Sequence, residues 1–210
     1  MKFLQFIVVG AIIGLVVGML NLPSYTIAIA AVVLFIGIMG NFFYVTMYTK
    51  NLKKIEKVIK SNRKNPIYRS LQLLAEGTDE EFEESLEVIL KKYKNTKYEG
   101  TYGALLAMMR GDFEQAHRYN ERLLHKEVGQ YTNYIIDIVS GKEIEDVPAF
   151  KQSWMNSSIE AHKAFMSHDV HAFEDFSKQA TEQAKGIQYY GNYYTFKRMR
   201  NKLSEEFQTQ

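Results

Sequence analysis

The chain has 210 residues, with 26 basic side chains against 24 acidic ones and no cysteine. This length fits a membrane anchor plus one domain of about 150 residues. The lack of cysteine excludes disulfides, thiolate metal sites, iron–sulfur clusters and cysteine nucleophiles.

The near-neutral total hides an uneven distribution of charge. Residues 1–50 contain Lys2 and Lys50 and no acid, residues 51–64 carry a net charge of +5, and residues 65–210 carry −5. The sequence therefore divides into an apolar block, a basic segment and a mildly acidic body. We place the boundaries at 1–49, 50–65 and 66–210.

Two apolar runs open the chain. Residues 3–20 contain Gln5 as their one strongly polar side chain, and residues 25–48 form a second and longer run. Each run is long enough to cross a hydrocarbon core of about 30 Å. The short connection at 21–24 has turn chemistry and predicts an antiparallel transmembrane hairpin. A cleaved signal peptide is disfavoured, because no small-x-small site follows the first run and a second span comes directly after it.

The orientation of this hairpin follows from its flanking charges. Lys2, Lys50 and the basic segment border one side, and the connecting turn carries no charge. The positive-inside rule therefore predicts a two-span protein of the cell membrane with both termini in the cytoplasm.

The first span carries small residues on one helical face. Glycines at every fourth position let two helices approach closely in lipid. These residues are Gly10, Gly14 and Gly18. We favour packing against the second span of the same hairpin, because that partner is tethered alongside, over a homodimer contact.

The basic segment 50–64 predicts an amphipathic continuation of the second helix. Leu52, Ile55 and Ile59 fall at helical spacing among cations. Such a helix can lie on an anionic leaflet, or its charges can simply fix the topology. The cations expected to contact lipid headgroups are Lys53, Lys54, Lys57, Lys60, Arg63 and Lys64. Nucleic acid is not an expected partner, because the body of the chain is acidic.

From residue 65 onward, apolar residues recur at the helical period and predict an all-α domain. We expect helices over 66–76, 79–94, 97–110, 113–127, 129–140, 146–155, 157–167, 170–185 and 187–206.

One unit, residues 102–124, stands out within this domain. A first helix with Ala104 and Ala107 leads to the turn Gly111-Asp112, followed by Phe113 and then Ala116. This unit resembles a tetratricopeptide repeat. The turns at Gly77, Gly141 and His168-Asp169 recur around it at intervals of 34, 30 and 27 residues.

The resemblance implies a tetratricopeptide-like α-solenoid of stacked helix pairs. In such a fold the last helix would act as a C-terminal cap, and the groove would bind an extended peptide or a partner helix.

Two further clusters are candidates for function. His162, His168 and His171 lie within ten residues of one another, but Asp169 fits a helix cap better than a metal ligand. We therefore predict no catalytic residue, cofactor or metal site. The aromatic and basic segment 189–200 predicts a partner surface at Tyr189, Tyr193, Arg198 and Arg200.

Together these features indicate a membrane-anchored scaffold or adaptor, not an enzyme, that presents a helical-repeat domain to a cytoplasmic or membrane protein. The alternative is an accessory subunit of a transport, secretion or division complex. A weaker alternative is a metal-dependent enzyme that uses the three histidines.

Overall fold

A computed structural model describes Met19, residues 25–144 and residues 146–208. Over these ranges the chain forms ten α-helices, one 3-10 turn and no β-strand, which confirms the all-α prediction. The helices are α1 (Tyr25–Met47), α2 (Leu52–Ser61), α3 (Pro66–Glu76), α4 (Asp79–Lys92), α5 (Lys97–Met109), α6 (Phe113–Asn120), α7 (Glu127–Val139), α8 (Ser153–Met166), α9 (Val170–Gln183) and α10 (Gly186–Gln208), and the 3-10 turn is Glu121–Leu123. The chain divides after Val45 into two compact units.

Helix α1 is long and apolar enough to cross a bilayer. Its 23 residues correspond to about 35 Å of helix. Only 6% of its most apolar stretch is buried, and Ile29, Val33 and Phe35 are among its exposed side chains. An apolar surface of this size is unusual for a helix in water. The predicted first span at 3–20, with its glycine ladder, and the connecting turn lie outside the described residues.

Helix α2 belongs to the second unit and buries its apolar side against other helices of that unit. The side chain of Asn51 caps the helix by accepting the Lys54 N–H at 3.1 Å, and Ile55 and Ile59 are 0% and 1% exposed. The helix packs on α3 and α10. The alternative in which its apolar face lies on the leaflet is therefore wrong, because the domain covers that face. The predicted continuation of the second apolar helix is also wrong, because residues 48–51 are not helical. Its lysines stay at the surface, with Lys57 as an example.

Local signals set the helix starts in the domain. Asn65 caps α3 just before Pro66, whose missing N–H is harmless at the first helical position. Thr78 and Glu81 form a reciprocal capping box on α4. Asp112 and Asp169 accept backbone N–H groups at the starts of α6 and α9, at 3.0 Å in both cases. Short polar side chains thus satisfy backbone donors that a helix leaves free.

Three of the four recurring turns share one geometry. Gly111, Gly141 and His168 have φ values of +72°, +83° and +57°. In each turn, the N–H of the following residue bonds the carbonyl five residues earlier, as in Asp112 to Ala107 at 2.9 Å. This pattern is the Schellman motif, which ends a helix with a left-handed residue. The fourth turn differs, because Gly77 has φ −93° and bonds Leu73 instead.

Helices α5 and α6 pack through small side chains. The buried alanines at their contact are Ala104, Ala107 and Ala116. Phe113 is partly buried against the same cluster. A methyl group on Gly103 would lie 2.5–2.8 Å from ring atoms of Tyr119, well inside ordinary contact. The two helices can approach this closely only because glycine and alanine line their contact.

Helix α6 is shorter than the predicted 113–127. It ends at Asn120, and the 3-10 turn follows. Asn120 is fully buried and donates to the Gly129 carbonyl at 2.8 Å. A Cβ on Gly129 would collide with Leu123, whose own Cβ is 2.8 Å away. This tight crossing ends α6 early and starts α7 at Glu127.

The predicted helices 146–155 and 157–167 are replaced by one helix, α8. The described residues between 142 and 152 are not helical. Phe150 is buried, and its N–H and carbonyl bond the Asn156 amide at 2.9 and 3.1 Å. Since Pro148 lacks an N–H, it also disfavours a helix there. The predicted helix pair 129–140 and 146–155 is therefore reduced to α7 alone.

Helix α10 connects distant parts of the domain. It packs on α9, and it also contacts α2 and α3 near the start of the domain. The Tyr194 hydroxyl donates to Glu56 at 2.8 Å, across 138 residues of sequence. Phe196 and Leu203 are buried in a cluster with Phe173. The predicted role of α10 as a C-terminal cap is therefore incomplete, because α10 packs on α2 and α3 as well as on the last helix pair.

Candidate interaction surface

A groove lies between α9 and α10, with a cavity volume of about 290 Å³. Helix α9 contributes Glu174, Ser177, Lys178, Thr181 and Glu182, and α10 contributes Tyr189, Tyr193, Phe196 and Arg200. Consecutive residues of each set are one, three or four positions apart in sequence. Since an α-helix turns every 3.6 residues, each set lies on one face of its helix. The groove therefore combines an aromatic wall with charges of both signs.

The aromatic wall is partly exposed. Tyr189 packs on the core formed by α7 and α8, and its ring centroid is 6.5 Å from that of Tyr193. Tyr193 is 38% exposed, whereas Phe196 closes the floor of the groove. A tyrosine that combines a packed ring edge with an accessible face is typical of protein contact surfaces.

One end of the groove is fixed by an ion pair. Arg200 bonds Glu174 through both Nε and Nη2, the latter at 2.6 Å. The hydrogen bond with Glu174 raises the pKa of Arg200. The bidentate geometry holds the guanidinium in place, so this end of the groove presents a fixed polar edge. Three predicted surface residues, Tyr189, Tyr193 and Arg200, thus meet in one groove.

Arg198, the fourth predicted surface residue, has a different position and role. Its guanidinium donates to the carbonyls of Leu73, Leu74 and Gly77 at 2.7, 2.7 and 2.6 Å. It also pairs with Asp79. The prediction of a partner contact at Arg198 is therefore wrong. This arginine instead caps the carbonyl end of α3, where a cation is favourable.

The pKa of Asp79 reflects the same contact. Burial alone would raise it, but hydrogen bonds and charges from Lys202 and Arg198 outweigh that effect and lower it. The carboxylate therefore stays ionised and holds α10 against the start of α4.

The three histidines do not converge on a common point. His162 Nδ1 lies 2.7 Å from the Ser158 carbonyl inside the domain, His168 forms the left-handed turn, and His171 is 92% exposed next to Asp175. Among the described residues, no group of three His, Asp or Glu side chains could hold a metal ion. The alternative of a metal site at these histidines therefore lacks a coordinating arrangement.

A polar cluster links α6 to α7. His117 Nδ1 lies 3.0 Å from Asn133 Oδ1, and its Nε2 lies 3.1 Å from Asp137 Oδ1. Asp137 also accepts from Lys142 at 2.6 Å and from the Asn133 amide at 3.1 Å. The carboxylate joins two helices and the turn at Gly141, so its role is structural.

The basic residues of α2 lie at the domain surface. Lys53, Lys54 and Lys57 are exposed, and Lys60 pairs with Glu76 at 2.6 Å. Arg63 and Lys64 are exposed in the turn that follows. Contact of these residues with lipid headgroups stays a prediction.

Sequence reasoning missed the α9 side of the groove. It also missed Gly186, where a Cβ would collide with the Thr46 carbonyl oxygen. Nothing near Glu174 or Lys178 distinguishes them from an ordinary solvated helix face in the sequence. Gly186 could have been found, because a lone glycine between two helical patterns marks a helix boundary.

Comparisons of the chain with protein-family models, with curated proteins and with solved structures found no match in any of the three.

Proposed function

We propose that this chain is a membrane-anchored adaptor that uses its helical domain to bind another protein. The carrying observation is the combination of an exposed apolar helix, α1, with a separate folded unit of packed helices. An anchor confines the domain to the bilayer surface, which raises the effective concentration of weakly bound partners there. The protein would thus act through binding and localisation instead of catalysis.

The finer topology belongs to the same proposal. We infer that residues 3–20 form a second span antiparallel to α1 and that both termini lie in the cytoplasm. The flanking charges support this, because Lys2 and the basic segment border the same end of the hairpin. Protease added to intact cells should then leave the domain beyond Lys64 uncut, and cleavage from outside would overturn the topology.

The domain is proposed to be a degenerate tetratricopeptide-like solenoid. Support comes from the paired packing of α3 with α4, α5 with α6 and α8 with α9. The repeated Schellman turns add to this. Helix α10 and the missing second helix after α7 are departures from a regular stack. A regular stack leaves a continuous groove, whereas here we propose the α9–α10 groove as the partner site.

The partner is proposed to be a protein segment with exposed apolar side chains. Tyr193 offers an accessible ring, and Lys178 and Glu182 flank it with opposite charges. Aromatic residues at the centre of a contact commonly contribute most of its binding energy. The surrounding polar groups would set the orientation of the segment.

Detergent purification after crosslinking in cells tests the proposal. We expect the full-length chain to retain a stoichiometric protein partner and the Tyr193→Ala variant to lose it. The Arg118→Ala variant is the matched control, because Arg118 is exposed on α6 and its ion pair with Glu114 is local. Equal recovery with Tyr193→Ala and Arg118→Ala, or recovery of the chain alone, would overturn the proposal.

Exchange of residues 1–45, which end where the domain unit begins, for an unrelated two-span anchor separates the adaptor from an accessory subunit of a membrane complex. An adaptor keeps its partner after the exchange, because its contact lies in the domain. Loss of the partner would place the essential contact in the original anchor.

A further inference from the structure

The segment that follows the apolar helix is held tightly by the domain. Thr46 and Thr49 are each 7% exposed. The Gly186 N–H donates to the Thr49 carbonyl at 2.8 Å. The Lys50 ammonium also bonds the Glu182 carbonyl at the end of α9. The chain thus enters the domain at the junction between α9 and α10.

This contact places the α9–α10 turn beside the basic segment. Lys185 precedes Gly186 directly and is exposed. Lys53 and Lys54 lie in the first turn of α2, shortly after Thr49 and Lys50, which bond the α9–α10 junction. The α9–α10 turn with Lys185 and helix α2 with Lys53 and Lys54 are far apart in sequence. Thr49 bonds the turn through Gly186 and is followed closely by α2.

The cations of this edge are available for binding. Lys53, Lys54, Lys57 and Lys185 are exposed, and none forms an ion pair with any part of the chain that the structure describes. The Lys50 ammonium donates to a backbone carbonyl instead of a carboxylate, so its positive charge is not neutralised. The acids nearby in sequence are Glu56 and Glu182, and Glu56 accepts the Tyr194 hydroxyl. The edge is therefore net positive.

We propose that the α9–α10 turn, through Lys185, is a second membrane-facing element and that it binds anionic phospholipid headgroups together with Lys53 and Lys54. Covalent continuity supports this, because Thr46 and Met47 end α1, residues 48–50 follow directly, and Thr49 holds the turn through Gly186. Each cation held near an anionic surface adds to the attraction, so two elements bind more strongly than one. This inference rests on the proposed membrane anchoring.

Single-cysteine labelling tests the proposal cleanly, because the natural chain has no cysteine. Full-length Lys57→Cys, Gln188→Cys and Glu121→Cys variants are labelled with a fluorophore and reconstituted in phosphatidylcholine–phosphatidylglycerol liposomes. Lys57 and Gln188 are exposed neighbours of the two elements, and their replacement leaves Lys53, Lys54 and Lys185 in place. The lipids carry a nitroxide quencher on the headgroup of either phosphatidylglycerol or phosphatidylcholine. Glu121 is the reference site, because its 3-10 turn packs on α5, α6 and α7, away from the residues of the proposed site in sequence.

We expect labels at positions 57 and 188 to be quenched and the label at 121 to be unaffected. At both quenched positions, nitroxide-phosphatidylglycerol should quench about twofold more than nitroxide-phosphatidylcholine at equal mole fraction. Quenching at 57 without quenching at 188, or equal quenching by the two lipids, overturns this inference alone. Absence of quenching at both positions would instead overturn the membrane anchoring.

Discussion

Replacement of Gly186 by alanine should disrupt the junction between residues 46–49 and the turn that joins α9 to α10. Gly186 has φ +58°, a conformation that costs an alanine about 1–2 kcal/mol. The new Cβ would lie 2.7 Å from Met47 Cα and closer still to the Thr46 carbonyl. Ordinary carbon contacts begin at about 3.5 Å, so the backbone must separate and the 2.8 Å hydrogen bond to Thr49 would break.

The expected cost follows from these terms. Loss of the hydrogen bond contributes about 1 kcal/mol, and the forced separation of buried residues adds to the conformational cost. We expect Gly186→Ala to destabilise the domain by about 3 kcal/mol or more. At roughly 2–4 °C per kcal/mol for a domain of this size, the melting temperature should fall by about 6–12 °C.

Two other glycines provide matched controls. Gly141 has φ +83° but open space around its Cα, so Gly141→Ala should cost only the conformational term of about 1–2 kcal/mol. Gly191 lies within α10 with no atom near its missing side chain, so Gly191→Ala should stabilise by about 0.5–1 kcal/mol.

The assay is thermal unfolding of the full-length protein in detergent, followed by far-ultraviolet circular dichroism. A Gly186→Ala variant as stable as Gly141→Ala would refute the close approach of the two backbones.

Three further substitutions test other parts of the domain. Arg198→Gln should lower the free energy of unfolding by about 3 kcal/mol, because three carbonyls and one carboxylate lose a charged donor; denaturant titration measures this. His162 should make stability fall as the pH drops below about 6.5, by at most about 1.4 kcal/mol per pH unit, because burial lowers its folded-state pKa and the unfolded chain binds the proton first. His162→Gln should flatten that slope. Gly129→Ala should lower the melting temperature strongly, because its Cβ would collide with Leu123.

Each of these predictions has its own check. Arg198→Lys keeps the charge but not the forked donors, so it should recover only part of the lost stability; full recovery would contradict the capping role. His171→Gln changes a 92% exposed side chain and should leave most of the pH slope in place. If His162→Gln and the natural chain show the same slope, burial of His162 is not the cause. A Gly129→Ala variant with unchanged stability would rule out the tight crossing at Asn120.

Most helix positions in the domain could be predicted because their signals are local. The range 66–76 matches α3 residue for residue, with Asn65 and Pro66 as the start signal. Asp112 and Asp169 likewise marked the starts of α6 and α9. The range 142–152 was harder, since its apolar residues suit a short helix as well as the non-helical conformation of its described residues, in which Phe150 bonds Asn156.

The roles of individual side chains were less predictable, because they depend on contacts between distant residues. Arg198 lies next to tyrosines in sequence and resembled a partner contact, but its acceptors are 119 to 125 residues away. No local signal explains Gly103 within the predicted helix 97–110 or Gly129 at the start of 129–140, and only the neighbouring Tyr119 and Leu123 account for them. A single sequence does not reveal which helix will lie opposite such a residue.

The contacts of α10 with α2 and α3 have a consequence for synthesis in the cell. Since the ribosome makes the chain from its N-terminus at about 5–20 residues per second, the early helices emerge seconds before the residues that complete their core. Tyr194 and Arg198 join partners 138 and 119 residues upstream. A linear stack can add its units one at a time, whereas this domain can reach its native state only after nearly the whole chain has left the ribosome. Until then the early helices lack the residues that cover their apolar sides, and transiently exposed apolar surface of this kind is prone to aggregation.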